Sequence, residues 1–358
     1  MDELATPGRT RNLSPWFAWM TQLGATEVAD RPPLDEPVDP AEVAAWRDRC
    51  RERLTALLGP EPEPVPLDLE TTEVVEADGY TRSRVVFDAE ALMSVPAYLL
   101  VPDDRRDAPP GPAVLAVHGH GPGKAEVCGL EPTETPNGDY AHQLAQRGYV
   151  VLAPDMRCFG ERVDWNPPDK YACDTNLVHA VMAGISPLTQ NLFDARRCLD
   201  VLAGHPLVDP ERIGMVGLSY GATITLFTAA LDDRVAAAVV SGYLSSWAEA
   251  HKMPWNMCGS QVLPGMLGRI EHVDVAALIA PRPLLVETGT EDLLFPEAAA
   301  RQTVEQLRSI YAHLDDPASP DLDERLVDDV FNGDHQWHGV AAFDFLDRWL
   351  RSNPPVSG

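Results

Sequence analysis

The sequence predicts an α/β fold with a mostly parallel central sheet and helices on both of its faces. From residue 113 onward, short apolar runs alternate with segments of helical period, and strands that are apolar throughout are typical of a parallel sheet buried on both faces. Residues 68–101 instead carry alternating, β-branched runs separated by turn residues such as Asp78 and Gly79. This pattern predicts antiparallel strands ahead of the parallel ones.

Residues 1–66 are predicted to form a helical extension that ends in a proline-rich linker. The stretch DPAEVAAWRDRCRERLTALLG has the signals of one complete helix: Asp39 as N-cap, Pro40 at the first helical position and Gly59 as the stop. An earlier stretch, LSPWFAWMTQLG, predicts a second helix. The extension could pack on the rest of the chain, cover a pocket or mediate a homodimer, and the sequence does not choose among these.

A proline-rich connector ends this N-terminal segment. In PEPEPVP, at 60–66, each proline fixes φ and removes a hydrogen-bond donor, which predicts a stiff, extended linker. The α/β domain is therefore expected to span 67–358. Two insertions, at about 156–189 and 243–281, are rich in Trp, Pro, Met, Cys and His. We expect them to cover the carboxyl end of the sheet, where open parallel sheets bind ligands.

Charge argues against polyanionic partners. The chain of 358 residues has 55 acidic and 28 basic side chains and a formal net charge of -27. Such a surface repels nucleic acid and anionic membranes alike. The N-terminal residues do not resemble a secretory signal, and no apolar run reaches the roughly 20 residues of a membrane-spanning helix. The sequence therefore predicts a cytoplasmic protein that binds neither nucleic acid nor membrane.

The cysteines indicate neither a disulfide framework nor a zinc motif. They show no Cys-x-x-Cys pair and no regular spacing, so reduced thiols are expected. The six are Cys50, Cys128, Cys158, Cys173, Cys198 and Cys258.

Ser219 is the candidate nucleophile. It lies in GLSYG, directly after the apolar strand RIGMV and directly before the helical ATITLFTAAL. A serine on a sharp strand-to-helix turn needs small neighbours, and Gly217 and Gly221 meet that need. The N-terminus of the following helix adds N–H groups and partial positive charge. A chance match in a loop is the alternative, and the flanking strand and helix argue against it.

A serine nucleophile requires a base, and His335 is the candidate. It lies in FNGDHQWHG, between the last predicted strand and the last helix. That loop belongs to the carboxyl end of the sheet, where a base could reach Ser219. His338 lies three residues further on, at the start of the helix, and is expected to be a surface or capping residue.

Asp292 is the candidate for the carboxylate that orients this histidine. It follows the predicted strand PLLVETG by a short turn, and a short side chain there can hold one imidazole tautomer with little slack. Glu291 is expected to be solvated. Glu287 lies within the strand itself and is a weaker alternative.

The stretch AVLAVHGHGPGK supplies a candidate oxyanion hole. Its glycines let the backbone come close to the nucleophile. The donors predicted are the backbone N–H of His120 and that of Tyr220, the residue after the serine. His118 and His120 could instead be metal ligands, but no third ligand motif supports this reading, so no metal site is predicted.

Taken together, these motifs resemble the α/β-hydrolase superfamily, and within it the dienelactone hydrolase and acetyl xylan esterase-like group. The resemblance covers residues 113–350 and implies Ser219 as nucleophile, Asp292 as acid and His335 as base, in the chain order of α/β-hydrolases. It is carried by HGHGPGK at 118–124, DMRCFGER at 155–162, GLSYG at 217–221, IAPRPLLVETGTEDLLFP at 279–296, and GDHQW.

One motif departs from the family pattern. DMRCFGER has Cys158 where the family usually has glycine, which could alter the edge of the pocket; Cys158 itself is expected to be a small packed residue. The stretch HKMPWNMCGSQVLPGMLG resembles the family's insertion before the APRP strand. Its residues His251, Trp255 and Cys258 are candidates for binding substrate, and packing of the insertion is the alternative.

The function expected from this constellation is hydrolysis of a small carboxylic ester, of the acetyl ester or lactone type, through an acyl-enzyme on Ser219. The reaction requires no cofactor, and the partner is a small-molecule ester. The same three residues could cleave an amide, thioester or carbon–carbon bond, or transfer the acyl group to an alcohol. A non-catalytic binding protein on the same fold is the alternative of a different class.

Overall fold

The computed structural model describes residues 16–28, 30–33, 38–133, 137–165, 171–250, 256–314 and 322–352. Within them lie nine strands: β1 Glu70–Glu76, β2 Tyr80–Glu90, β3 Met93–Pro102, β4 Gly111–Val117, β5 Val150–Pro154, β6 Val208–Leu218, β7 Val235–Ser241, β8 Leu284–Gly289 and β9 Leu326–Phe331. The α-helices of the same residues are α1 Trp16–Gly24, α2 Pro40–Leu58, α3 Lys124–Val127, α4 Tyr140–Gln146, α5 Ala172–Ala183, α6 Pro187–Ala203, α7 Tyr220–Leu231, α8 Trp247–Ala250, α9 His272–Ala277, α10 Glu297–His313, α11 Leu322–Arg325 and α12 Val340–Asp347. A π-helical turn, Arg348–Ser352, follows α12. None of the described helices is both long and apolar enough to cross a membrane.

The strands form one sheet of mixed direction. Their order is β1-β2-β3-β5-β4-β6-β7-β8-β9. Strands β1, β2 and β3 are antiparallel neighbours, and β3 pairs with β5 in antiparallel direction. All pairs from β5 to β9 are parallel. The prediction of an antiparallel start followed by a parallel sheet is confirmed.

Helices cover both faces of this sheet, as predicted. Along β4, Ala113, Leu115 and Val117 belong to one hydrophobic core, whereas Val114 and Ala116 belong to a second. This alternation follows from the two-residue period of a strand. The first core is completed by α2, α6, α7, α9 and α10, and the second by α4 and α12.

Helix α2 begins and ends where the sequence predicts. The Asp39 side chain accepts a hydrogen bond from the backbone N–H of Ala41 at 2.9 Å, Pro40 opens the helix, and Gly59 closes it with a φ of 73°. Trp46 is fully buried, and Arg47 donates to the carbonyl of Ala277 at the end of α9, at 2.9 Å. Helix α2 therefore shares the core of the sheet; the domain boundary at the proline-rich linker stays a prediction.

The two insertions follow the carboxyl ends of β5 and β7. The first contains α5 and the start of α6, and the second contains α8 and α9. They touch each other at Gly259, whose backbone N–H donates to the Asp174 carboxylate at 2.8 Å. A Cβ on Gly259 would lie 2.5 Å from the Cβ of Leu177, so only glycine permits this approach. The insertions therefore meet above the end of the sheet.

Candidate active site

Ser219 lies on a strained turn between β6 and α7. Its φ of 58° and ψ of -116° are unusual for a residue with a side chain, and its N–H donates to the carbonyl of Ser241 on β7 at 2.9 Å. A Cβ on Gly217 would lie 2.3 Å from the backbone of Gly221, and a Cβ on Gly221 would lie 2.1 Å from the carbonyl oxygen of Val117. Both glycines are thus required by the close approach that the sequence predicts for this turn.

Asp292 and His335 are in contact. His335 Nδ1 lies 2.8 Å from Asp292 Oδ2, and the other oxygen of Asp292 accepts N–H groups of Leu294 at 2.8 Å and Phe295 at 3.0 Å. The Asp292 side chain is 1% exposed, and the Phe295 ring stacks on the imidazole. A carboxylate in this position accepts a hydrogen bond from Nδ1–H, which leaves Nε2 of His335 as an acceptor.

The ends of β7 and β8 leave space for the His335 loop. Gly242 has a φ of 58°, and a Cβ there would lie 3.1 Å from Nδ1 and Cε1 of His335. The loop after β8 is bonded to the loop after β9, because the N–H of Glu291 donates to the carbonyl of Gly333 at 2.8 Å. The backbone thus sets the position of both Asp292 and His335.

The alternatives weighed for base and acid lie elsewhere. His338 Nδ1 is 2.8 Å from Asp329, and its ring stacks on Phe331. Glu291 is exposed. Glu287 is buried and accepts the backbone N–H of His338 at 3.1 Å, and that of the following residue, Gly339, at 2.8 Å. Glu287 therefore holds the loop that carries His335 rather than the imidazole itself.

Glu287 also makes stability depend on pH. Burial raises its pKa from the ordinary 4.5 to about 7, against the opposing effect of hydrogen bonds from Ser241, Gly339 and His338. The folded protein therefore binds the proton of the Glu287 carboxyl group more tightly than the unfolded chain does. The contribution of this proton to stability is complete below pH 4.5 and is lost as the pH rises to about 7. In Glu287→Gln this loss, on the order of 3 kcal/mol, should disappear. Urea unfolding of both proteins at pH 5 and pH 8 measures it, and an equal pH dependence in both would contradict it.

His118 is a structural residue. Its ring is fully buried, which lowers its pKa and keeps it neutral. Nδ1 donates to the carbonyl of Gly119 at 2.7 Å, and Nε2 accepts the N–H of Met156 at 3.1 Å. Both ring nitrogens are thus used, so the alternative in which His118 and His120 form a metal site together does not fit the structure.

The backbone around these residues can form an oxyanion hole. The carbonyl of Gly119 accepts a hydrogen bond from the His118 ring. Because the C=O and N–H of a trans peptide point in opposite directions, the N–H of His120 faces away from that ring. A Cβ on Gly119 would lie 3.7 Å from the Cβ of Ser219. Tyr220 is the first residue of α7, where the N–H has no acceptor within the helix.

Gly119, His120, Ser219 and His335 border one cavity of about 450 Å³, a volume within the range of small-molecule sites. Of the predicted substrate-binding residues, Cys258 borders it, whereas His251 and Trp255 lie outside the described residues. The lining residues are Gly119, His120, Glu126, Val127, Gly138, Tyr140, Tyr171, Asp174, Leu218, Ser219, Asn256, Met257, Cys258, Leu294 and His335.

Asn256 is a polar residue of this cavity that the sequence did not single out. Its Nδ2 donates to the carbonyl of Leu294 at 2.6 Å. Its Oδ1 is buried and has no hydrogen-bond partner among the described residues. A buried amide oxygen beside the cavity is a ready acceptor for a hydroxyl or amide of a ligand.

A buried ion pair joins the loops after β4 and β5, and sequence reasoning missed it. Lys124 is 3% exposed; its backbone N–H donates to Asp155 at 2.7 Å, and its Nζ pairs with Asp155 and with Glu161. Cβ atoms on Gly123 and Gly160 would lie 2.3 and 2.1 Å from Asp155 Oδ1. The glycines in the HGHGPGK and DMRCFGER motifs were the signal that the two loops pack around one carboxylate.

Cys158 is buried and adopts a φ of 77°. Glycine adopts this conformation without strain, which is consistent with the glycine that the family resemblance implies there. The Cys158 Sγ lies 2.8 Å from Nδ2 of Asn176, and burial raises the thiol pKa to about 11. Cys158 does not border the cavity that contains Ser219, and its burial is consistent with the expectation of a packed residue.

Comparison with known proteins agrees with this architecture. A candidate hydrolase, YtaP, from Bacillus subtilis (strain 168) is 29% identical over 276 residues, which is 74% of this chain and 88% of YtaP. A candidate acetyl xylan esterase from Bacteroides fragilis NCTC 9343 superposes with a TM-score of 0.73 at 18% identity, over 99% of this chain and 94% of that one. A glucuronoyl esterase from Solibacter usitatus superposes with a TM-score of 0.64 at 15% identity, over 90% and 96% of the two chains.

The solved structures share the fold, and the family is identified from the sequence. The sequence model of the Abhydrolase family matches residues 30–302, about three quarters of the chain. The protein therefore has the α/β-hydrolase fold and belongs to the Abhydrolase family of hydrolases.

Proposed function

We propose that the protein is a carboxylic-ester hydrolase in which Ser219 is the nucleophile, His335 the general base and Asp292 the residue that orients the base. One observation carries the proposal: Ser219, on its strained turn, borders the same cavity as His335, and Nδ1 of His335 is hydrogen-bonded to the buried Asp292. A serine hydroxyl is a poor nucleophile unless such a base takes its proton.

The proposed reaction has two steps. The Oγ of Ser219 attacks the ester carbonyl as its proton moves to Nε2 of His335, and the imidazolium is stabilised by Asp292. The N–H groups of His120 and Tyr220 stabilise the oxyanion of the tetrahedral intermediate. The imidazolium then gives its proton to the departing alkoxide, which leaves as the alcohol. Water, deprotonated by His335, hydrolyses the acyl-enzyme, and Ser219 regains its proton.

The substrate we propose is a small acyl ester of a hydroxylated molecule, of the acetyl ester or lactone type. Two observations support this class. The cavity has room for a small ligand and combines the Tyr140 and Tyr171 rings with the polar Asn256 and Asp174. In addition, solved structures with this fold include acetyl xylan and glucuronoyl esterases.

Labelling with a fluorophosphonate probe tests the proposal. The probe phosphonylates only a serine that a base activates, so we expect one label per chain, on the peptide that carries Ser219, identified by mass spectrometry. The heat-denatured protein is the control and should stay unlabelled. A folded protein without label, or with the label on another serine, would contradict the proposal.

A panel of acetyl substrates with matched leaving groups then separates the bond types. We expect p-nitrophenyl acetate and acetylated sugars to be hydrolysed, and the corresponding amides to react far more slowly. Product analysis with added alcohols distinguishes hydrolysis from acyl transfer.

A further inference from the structure

Three potential metal ligands from separate parts of the chain meet at the edge of the cavity. They are His120 in the loop after β4, Cys173 in the first turn of α5 and Cys258 in the second insertion. An imidazole nitrogen and the two sulfur atoms all lie within 4.8 Å of one another. Cys173 and Cys258 are buried, whereas His120 is exposed.

Close packing of the two insertions sets the position of both cysteines. A Cβ on Gly259 would lie 2.6 Å from the carbonyl oxygen of Cys173, so the chain directly after Cys258 lies against the start of α5. The hydrogen bond from the Gly259 N–H to Asp174, at 2.8 Å, fixes this contact. The two thiols are therefore neighbours because of the backbone around them.

The ligand side chains are supported by their surroundings. The His120 ring lies among three aromatic rings, with centroid distances of 5.5 Å to Phe159, 6.2 Å to Tyr171 and 5.4 Å to Tyr220. The N–H of Ser260 donates to Cys258 Sγ at 3.4 Å. Such packing and outer hydrogen bonds orient ligands before a metal arrives.

We propose that His120, Cys173 and Cys258 form a binding site for a thiophilic divalent cation such as Zn²⁺. Two sulfurs and one imidazole nitrogen are ligands that zinc prefers. A tetrahedral zinc site has ligand–ligand distances of about 3.5 to 3.8 Å, so small side-chain rotations close the present group around a metal. His120 and Cys258 both border the cavity, which gives a metal ion a path to these ligands. Each thiol that binds releases its proton to solvent.

A second group of potential ligands shows why the first is the better site. Glu287, Asp329 and His338 also lie within 4.8 Å of one another. There, however, the Glu287 carboxylate accepts two backbone N–H groups, and His338 is bonded to Asp329. Their polar atoms already stabilise the loop, and the group has no sulfur ligand.

Metal titration of the full chain tests the proposal without reference to ester hydrolysis. The reduced protein should bind one equivalent of Zn²⁺ in competition with a chromophoric chelator. Co²⁺ in place of zinc should give the near-ultraviolet charge-transfer absorption of a thiolate ligand. This absorption tests the site in the wild-type protein, so the result does not depend on whether a variant folds. Absence of a bound equivalent, or a cobalt complex without thiolate absorption, would overturn the site.

Variants assign the ligands. Cys173→Ser, Cys258→Ser and His120→Ala should each weaken zinc binding by about 100-fold or more, since even loss of an outer-shell partner costs about 10- to 100-fold. Cys128→Ala, which removes a buried thiol outside the group, should bind zinc like the wild type. Binding that survives in either serine variant, or that is lost in Cys128→Ala, would place the metal elsewhere. If the protein binds no zinc and diamide forms a Cys173–Cys258 disulfide, the two cysteines are a redox pair and the metal site is overturned.

Discussion

Replacing Ser219 by Ala is expected to lower kcat for p-nitrophenyl acetate by about 10⁴- to 10⁶-fold, with little change in KM. The substitution removes the hydroxyl that forms the acyl-enzyme but keeps the size of the residue and the backbone of the turn. Steady-state kinetics of the purified variant measures the effect. An Ala variant that keeps its activity would mean that the reaction does not pass through Ser219.

A matched glycine variant separates loss of chemistry from loss of structure. The φ of 58° at Ser219 strains serine and alanine alike, whereas glycine adopts it freely. Ser219→Gly should therefore be as inactive as Ser219→Ala. Its free energy of unfolding in urea should exceed that of Ser219→Ala by about 1 kcal/mol. Ser260→Ala is the control, because the buried Ser260 hydroxyl has no hydrogen-bond partner in the described part of the chain. It should keep both activity and stability close to wild type.

The turn at Ser219 could be predicted because its evidence is local. The two glycines and the serine lie within five residues, and the strand and helix that the turn needs are adjacent to them in the chain. The contact between Asp292 and His335 was predictable for a related reason. Residues that follow parallel strands are brought to one edge of the sheet, and β8 and β9 are neighbours. Loop position and chain order therefore selected the pair without knowledge of any distance.

The group of His120, Cys173 and Cys258 could not be predicted in this way. Its members come from three loops or helices and are separated by 53 and 85 positions in the chain. Short ligand spacings report metal sites only when one turn or helix carries several ligands. Here the contact depends on how the two insertions pack at Gly259, which is a tertiary property.

The charged cluster of Lys124, Asp155 and Glu161 could not be predicted for a different reason. Its residues lie in motifs that the sequence analysis interpreted by their glycines and by family resemblance. The glycines at 123 and 160 were visible, but the carboxylate that they make room for is identified only by the geometry of the two loops. Sequence reasoning thus located the packed region and missed the charge inside it.

Replacing Asp292 by Asn is expected to lower kcat by about 10⁴-fold while the protein stays folded. The carboxylate accepts a hydrogen bond from Nδ1–H of His335 at 2.8 Å, which keeps Nε2 free to take the proton of Ser219. The Asn amide can present N–H to Nδ1 instead and so favour the tautomer with the proton on Nε2. In that tautomer the imidazole cannot act as the base. Substrate still binds, so the loss should lie in kcat rather than in KM.

The structure contains a matched control for this change. Asp329 lies 2.8 Å from Nδ1 of His338, the same pairing at the same distance, three residues along the chain from His335. If the effect of Asp292→Asn arises from the tautomer of His335, then Asp329→Asn should leave kcat close to wild type. If both variants lose activity equally, the cause is loss of loop structure, and Asp292 has no specific role in orienting the base. A large loss in Asp292→Asn alone assigns that role to this carboxylate, because the two substitutions remove the same charge from similar aspartate–histidine pairs.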